Sequence, residues 1–209
     1  DWSSDVCSSD LEGYISAIRG AFEKYEIPAF YDVPNPISDK PLVRLILTFL
    51  DNACRITTEG LFRYAKSGFV RLCKDGEKKP ISFFEINALE EFAYTWGIRD
   101  ADWLSPFPGE KNAEIEALRR ELVEPVIAFK KRVSGLDGAE ITAELSRFLI
   151  DELDIGTSIL AHCKRAGDEN LVLDKELSAE YRQLWELVVS TLESLHNALP
   201  KIKKRGERI

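Results

Sequence analysis

The chain has 209 residues, 44% of them hydrophobic and 31% charged, enough to bury the core of one domain or of a domain with an appendage. Its formal net charge is -8, which excludes a protein whose whole surface grips a polyanion but leaves room for a local basic patch. No apolar run approaches the roughly 20 residues that cross a bilayer, so a helical membrane span is excluded.

Residues 1–11 read Asp1-Trp2-Ser3-Ser4-Asp5-Val6-Cys7-Ser8-Ser9-Asp10-Leu11. This run resembles, residue for residue, one reading frame of a common sequencing-library adapter, so it is expected to be an artefact with no part in the fold. Setting it aside removes Asp1, Asp5 and Asp10, and the rest is only mildly acidic. The sequence holds no Met and starts at Asp1, and the expectation is a fragment of a larger intracellular protein.

The elements follow in order. Ile15, Ile18 and Phe22 stand at helical spacing and predict a helix over residues 13–25. Pro28 biases its predecessor away from helix and aromatics follow it, so residues 27–32 predict a strand, ended by the Val33-Pro34-Asn35-Pro36 loop. Leu42, Leu45, Ile46, Phe49 and Leu50 then predict a helix with Pro41 in its first turn and Ser38 or Asp39 as cap. A helix is predicted over residues 58–67, ending at Gly68. Ser82 and Glu85 form a capping-box pattern for a helix carrying Ile86, Leu89, Phe92 and Ala93 as far as Gly97.

A Trp- and Pro-containing loop is expected over residues 100–109. A long helix over residues 113–133 places Ile115, Leu118, Leu122, Val126, Phe129 and Val133 inward, with Pro125 predicting a kink. Ile141, Leu145, Phe148 and Leu149 mark the next helix, and residues 155–164 a short one. The last helix carries one stripe, Leu177, Tyr181, Leu184, Trp185, Val188, Leu192, Leu195 and Leu199, of which Leu184, Trp185, Val188 and Leu192 are expected to be buried against the kinked helix around Leu122 and Val126. The fold class is mainly α, all helical after residue 34, with one edge-like strand near the start.

Catalytic and metal motifs are missing. The sequence has no G-x-x-x-x-G-K-[ST] phosphate loop, no G-x-S-x-G elbow and no H-E-x-x-H pair. Cys54, Cys73 and Cys163 are far apart and read as reduced thiols; His162 beside Cys163 points in a different direction from it on a helix. No catalytic, cofactor-binding or metal-ligating residue is therefore assigned. One stretch differs in charge. In residues 62–80 the bases Arg63, Lys66, Arg71, Lys74, Lys78 and Lys79 outnumber Asp75 and Glu77, with Phe62, Tyr64 and Phe69 among them. Bases mixed with aromatics suit a surface that follows a phosphate backbone, which makes Arg63, Lys66, Arg71 and Lys74 the candidate DNA contacts. The competing reading is an ordinary solvated surface whose aromatics belong to the core.

Tyr25-Glu26-Ile27-Pro28-Ala29-Phe30-Tyr31-Asp32 and Lys40-Pro41-Leu42-Val43 resemble a segment of the AddB (RexB) family, the B subunit of the ATP-dependent helicase–deoxyribonuclease. The resemblance continues in order through residues 61–69, Leu89-Glu90-Glu91-Phe92-Ala93, Trp96-Gly97-Ile98-Arg99 with Trp103, and Leu118-Arg119-Arg120 with Val123-Glu124-Pro125. It covers about residues 14–195. Two positions depart: Asp39-Lys40 replaces a His-containing pair, and Asp100 stands where the family has a second glycine.

The resemblance implies a UvrD-type superfamily-1 helicase fold. Residues 12–33 would be a remnant of a RecA-like domain and residues 34–209 the helical insertion called 2B. It implies a partner of the AddA type and DNA, with no membrane, in the cytoplasm. It also implies that ATP, Mg2+ and a 4Fe-4S cluster are bound outside this stretch. The alternative is a free-standing all-helical interaction domain, an adaptor or regulator. A strand at residues 27–32 would favour the first reading, because a lone strand beside helices needs a sheet elsewhere.

Overall fold

The computed structural model describes residues 14–29, 37–74, 76–107, 112–164 and 175–199. The expectations for residues 1–11 and for the Val33–Pro36 loop lie outside them. The chain divides into two compact units, residues 1–39 and 40–209. Among the described residues there are eight α-helices and one two-stranded sheet, so the protein is mainly α. No helix is long and apolar enough to cross a membrane among them.

In the first unit, α1 spans Ile15–Lys24. It closes with Glu26 in the left-handed region at φ 54° and the Ile27 N–H donating to Phe22 O at 2.9 Å. A 3-10 turn at Ile37–Asp39 ends the unit. Residues 27–29 form no regular element and residues 30–32 lie outside the described set, so the strand expected over residues 27–32 is not found among the described residues.

The second unit holds the core. Helix α2, Pro41–Cys54, begins with Pro41 at its first position and Lys40, not Ser38 or Asp39, as N-cap; the cap makes no side-chain bond. Leu42, Leu45, Ile46 and Phe49 are buried along one face, as their spacing requires. Helix α3, Thr58–Ala65, is capped by the Thr57 hydroxyl, which accepts Gly60 N–H at 3.0 Å. Helix α4, Phe83–Trp96, has the reciprocal Ser82–Glu85 capping box and ends at Gly97 in the left-handed region, φ 63°.

Helix α5, Ala113–Arg132, continues through Pro125, whose missing N–H leaves the Glu121 carbonyl without its usual partner in the helix. Helix α6, Gly138–Arg147, opens with an Asp137–Glu140 capping box and runs into a π turn at Phe148–Glu152. Helix α7 spans Ile155–His162 and α8 Lys175–Ala198.

Phe49 is the hub of the core. Its ring stacks on Phe148 at 4.2 Å and meets Phe129 edge-on at 5.1 Å, with Tyr64 at 5.8 Å, so one side chain joins α2, α3, α5 and the π turn. A second aromatic cluster runs through Phe92, Phe107, Trp103 and Phe62. Helix α8 departs from expectation: it lies chiefly along α6, and not along α5 at Leu122 and Val126. Its stripe is unevenly buried, with Tyr181 and Leu184 buried, Leu177, Trp185, Val188, Leu192 and Leu199 half-buried, and Leu195 exposed.

The sheet is the other departure from an all-helical unit. β1, Arg71–Lys74, pairs antiparallel with β2, Glu77–Pro80, in the register Lys74↔Glu77 and Arg71↔Pro80. Only Leu72 is buried, and β2 is exposed throughout, so no apolar alternation announces either strand. The signal that could have found them is Asp75-Gly76, a two-residue hairpin pair between the strands; Gly76 takes φ 80°.

Candidate nucleic-acid interface

The basic stretch folds into two places. Arg63 and Lys66 sit at the end of α3, and Arg71, Lys74, Lys78 and Lys79 on the hairpin. Each is engaged by a neighbour. Arg63 Nη2 lies 2.6 Å from Glu59 Oε1 one turn earlier, and Lys66 pairs with Glu90 on α4. Arg71 donates from Nε and Nη2 to Lys78 O at 3.1 and 2.6 Å, which clamps the hairpin across its strands. Lys74 Nζ reaches Glu85 Oε2 at 2.6 Å, Lys79 pairs with Glu77 at 3.4 Å, and Lys78 reaches the carbonyls of Asp151 and Glu152.

Desolvation acts against Glu85, but bonds from Lys74 and Ser82 hold its carboxyl below the usual range, so it stays an anion opposite Lys74. The Arg63 and Glu59 side chains are largely in solvent, so the pair is screened and weak.

The aromatics are not a stacking platform. Tyr64 and Phe69 are buried in the core, and Phe62 packs edge-on against Trp103 at 5.5 Å. The stretch is a charged rim on a packed core, and Phe62, Tyr64 and Phe69 belong to that core. His162 and Cys163 are also placed: the His162 ring lies 5.0 Å from Phe69 and 4.8 Å from Tyr181, and burial lowers its pKa. Cys54, Cys73 and Cys163 are free thiols, and among the described residues no group of three His, Cys, Asp or Glu could hold a metal ion.

A further cluster is marked in the sequence only by the departure at Asp100. Asp100 takes φ 33°, a conformation that L side chains rarely adopt, at the position where the resemblance expects glycine. It is held by two bonds to Thr58, whose hydroxyl also accepts the indole N–H of the fully buried Trp103 at 2.9 Å. Arg119, buried in α5, donates to Trp103 O at 2.7 Å and to Glu116, and its guanidinium lies over the Phe107 ring. These bonds tie the start of α3 at Thr58 to the turn at Asp100 and Trp103, and that turn to Arg119 on α5.

No family model matches the sequence. Curated relatives do. Over 91% of its length the chain is 30% identical to the B subunit of an ATP-dependent helicase/deoxyribonuclease of Clostridium novyi. Proteins of the same name from Clostridium tetani and Ruminiclostridium cellulolyticum are 28% and 29% identical over 95% and 90% of the chain. The chain belongs to the AddB family. It spans only 16–18% of the length of these AddB relatives, about a sixth.

Proposed function

We propose that the chain acts as a non-catalytic structural segment of an AddB-type protein, in an ATP-dependent helicase–deoxyribonuclease complex that processes double-strand DNA ends for recombinational repair in the cytoplasm. The observation that carries this reading is the continuous similarity to AddB proteins over about nine-tenths of the chain. In this reading residues 34–209 form the 2B-like insertion and residues 12–33 the remnant of a RecA-like domain. A protein of the AddA type and DNA are the partners, and ATP, Mg2+ and the 4Fe-4S cluster belong to other parts of the parent protein. The free-standing adaptor is the second reading. The strand that would separate the two is not found among the described residues, so the preference rests on the relatives.

DNA contact belongs to the same proposal. Arg63, Lys66, Arg71 and Lys74 would exchange Glu59, Glu90, the Lys78 carbonyl and Glu85 for phosphate oxygens, with no sequence preference.

The purified chain is assayed for ATP hydrolysis and for magnesium-dependent cleavage of linear duplex DNA. No activity above background is expected. An activity that follows the protein through purification and vanishes on a single substitution would overturn the non-catalytic assignment.

A further inference from the structure

A cleft of about 550 Å³ opens between the end of α2, the 3-10 turn at Asp100–Leu104 and the last turns of α5. We propose that it is a docking site for an extended acidic peptide that carries aliphatic side chains. Its volume falls in the range of about 300–1,000 Å³ typical of ligand clefts. Ile56, Leu104, Val126 and Ile127 make an aliphatic floor, and Leu104 is 54% exposed there.

The rim decides the charge of the occupant. Arg55, Lys130 and Lys131 line the cleft against a single carboxylate, Asp100, in a chain whose formal net charge is -8. That carboxylate is already committed to the Thr58 N–H at 3.2 Å. Lys130 is tied down, donating to Cys54 O at 3.0 Å, and joins α5 to the end of α2. The other two cations are available. The Arg55 side chain is 80% exposed and only 3.9 Å from Asp100, a pairing that solvent screens almost completely. Lys131 is exposed and makes no ion pair among the described residues.

Three cations and one occupied acid exclude a metal or another cationic ligand and favour an anion. The lining has no aromatic ring on which a nucleobase could stack, and its floor is aliphatic, so a carboxylate-bearing peptide fits better than a single strand of nucleic acid. A leucine-type side chain enters the floor while flanking carboxylates meet Arg55 and Lys131. The backbone remains at the open mouth, beside the exposed Ser134 of the lining. The shape and charge of the cleft do not depend on the AddB reading.

The test uses a fluorescein-labelled Leu–Asp repeat peptide, a Leu–Lys repeat of the same length and a single-stranded oligonucleotide, each titrated by anisotropy at low salt. The Asp peptide is expected to bind. The double variant Arg55→Ala/Lys131→Ala should weaken it by about three- to tenfold, the loss of two screened pairs. Arg120→Ala, a cation outside the cleft that pairs with Glu124, should leave it unchanged. Bound peptide should also shield the exposed thiol of Cys54, which lines the cleft, from maleimide while leaving Cys73 reactive, read by mass spectrometry. Equal binding of the Lys peptide, an unprotected Cys54, or full affinity in the double variant would overturn the proposal. Oligonucleotide binding that displaces the peptide and depends on Arg55 and Lys131 would overturn it in favour of a nucleic-acid site.

Discussion

Thr58 and Asp100 hold each other by two bonds: the Thr58 N–H donates to Asp100 Oδ1 at 3.2 Å, and the Asp100 N–H donates to Thr58 Oγ1 at 3.0 Å. The same hydroxyl accepts the indole N–H of Trp103, so one oxygen serves two donors from a turn more than 40 residues away in sequence. Thr58→Val keeps the shape and orphans both donors. It is expected to lower stability by about 1–3 kcal/mol, measured by urea unfolding. A midpoint unchanged from wild type would show that water replaces the hydroxyl.

Gly60 lies in α3, where an alanine ordinarily stabilises a helix by about 0.5–1 kcal/mol. Here an added Cβ would come within 2.7 Å of the Thr57 hydroxyl and 2.8 Å of the Asn52 side-chain oxygen. Thr57 is the cap of the helix and Asn52 is fully buried, so neither gives way freely. Gly60→Ala is therefore expected to destabilise, by about 1–3 kcal/mol. A stabilised variant in thermal unfolding would refute the close approach.

Along α8, Leu184 is 7% exposed and Leu195 42%. Leu184→Ala should cost about 2–5 kcal/mol and Leu195→Ala within about 0.5 kcal/mol. Because α8 lies along α6, the loss at Leu184 should couple in a double-mutant cycle to substitutions on α6 or its neighbours and not to Leu122 on α5. Equal costs at the two leucines would contradict their different burial.

The Arg119 guanidinium holds the Glu116 carboxyl below the usual carboxylate range; burial opposes this, and the Phe107 N–H adds to it. The folded pKa is thus lower than the unfolded one, near 4.3. The contribution is complete above the unfolded value and is lost as pH falls through the folded one. The stability difference between wild type and Glu116→Gln should be constant above about pH 5 and shrink steadily below about pH 4. A difference that grew on acidification would reverse the sign of the linkage.

If the α3 end and the hairpin follow a nucleic-acid backbone, the log of affinity should fall with the log of salt at about -0.9 per duplex phosphate contacted. Arg63→Ala or Lys66→Ala should weaken all sequences alike and flatten that slope by about one unit. Glu85→Gln, which releases Lys74, should strengthen binding at low salt. Identical titrations for wild type and an Arg63/Lys66/Arg71 triple-Ala variant would leave these bases as a solvated surface.

The helices of the second unit were legible because each buries one face, and burial writes a 3.6-residue period into the sequence. Leu42, Leu45, Ile46 and Phe49 are an example, and the Ser82–Glu85 and Gly97 caps add local chemistry that needs no distant partner. The sequence alone also carried the family, because short motifs in the right order survive where overall identity is 30% or less. What it could not decide were features in which a residue's role depends on a partner far along the chain. The β1–β2 hairpin buries one side chain and stands through Cys73 N–H bonded to Glu121 and Lys74 to Glu85, so no periodicity reported it. The direction of α8, read as facing α5, follows from which helix offers the complementary groove, and only packing determines that. Charge was the least legible of all. Arg63 and Arg71 look alike in sequence, but one meets a carboxylate in its own helix and the other a carbonyl across a strand pair. Only the folded geometry assigns those partners.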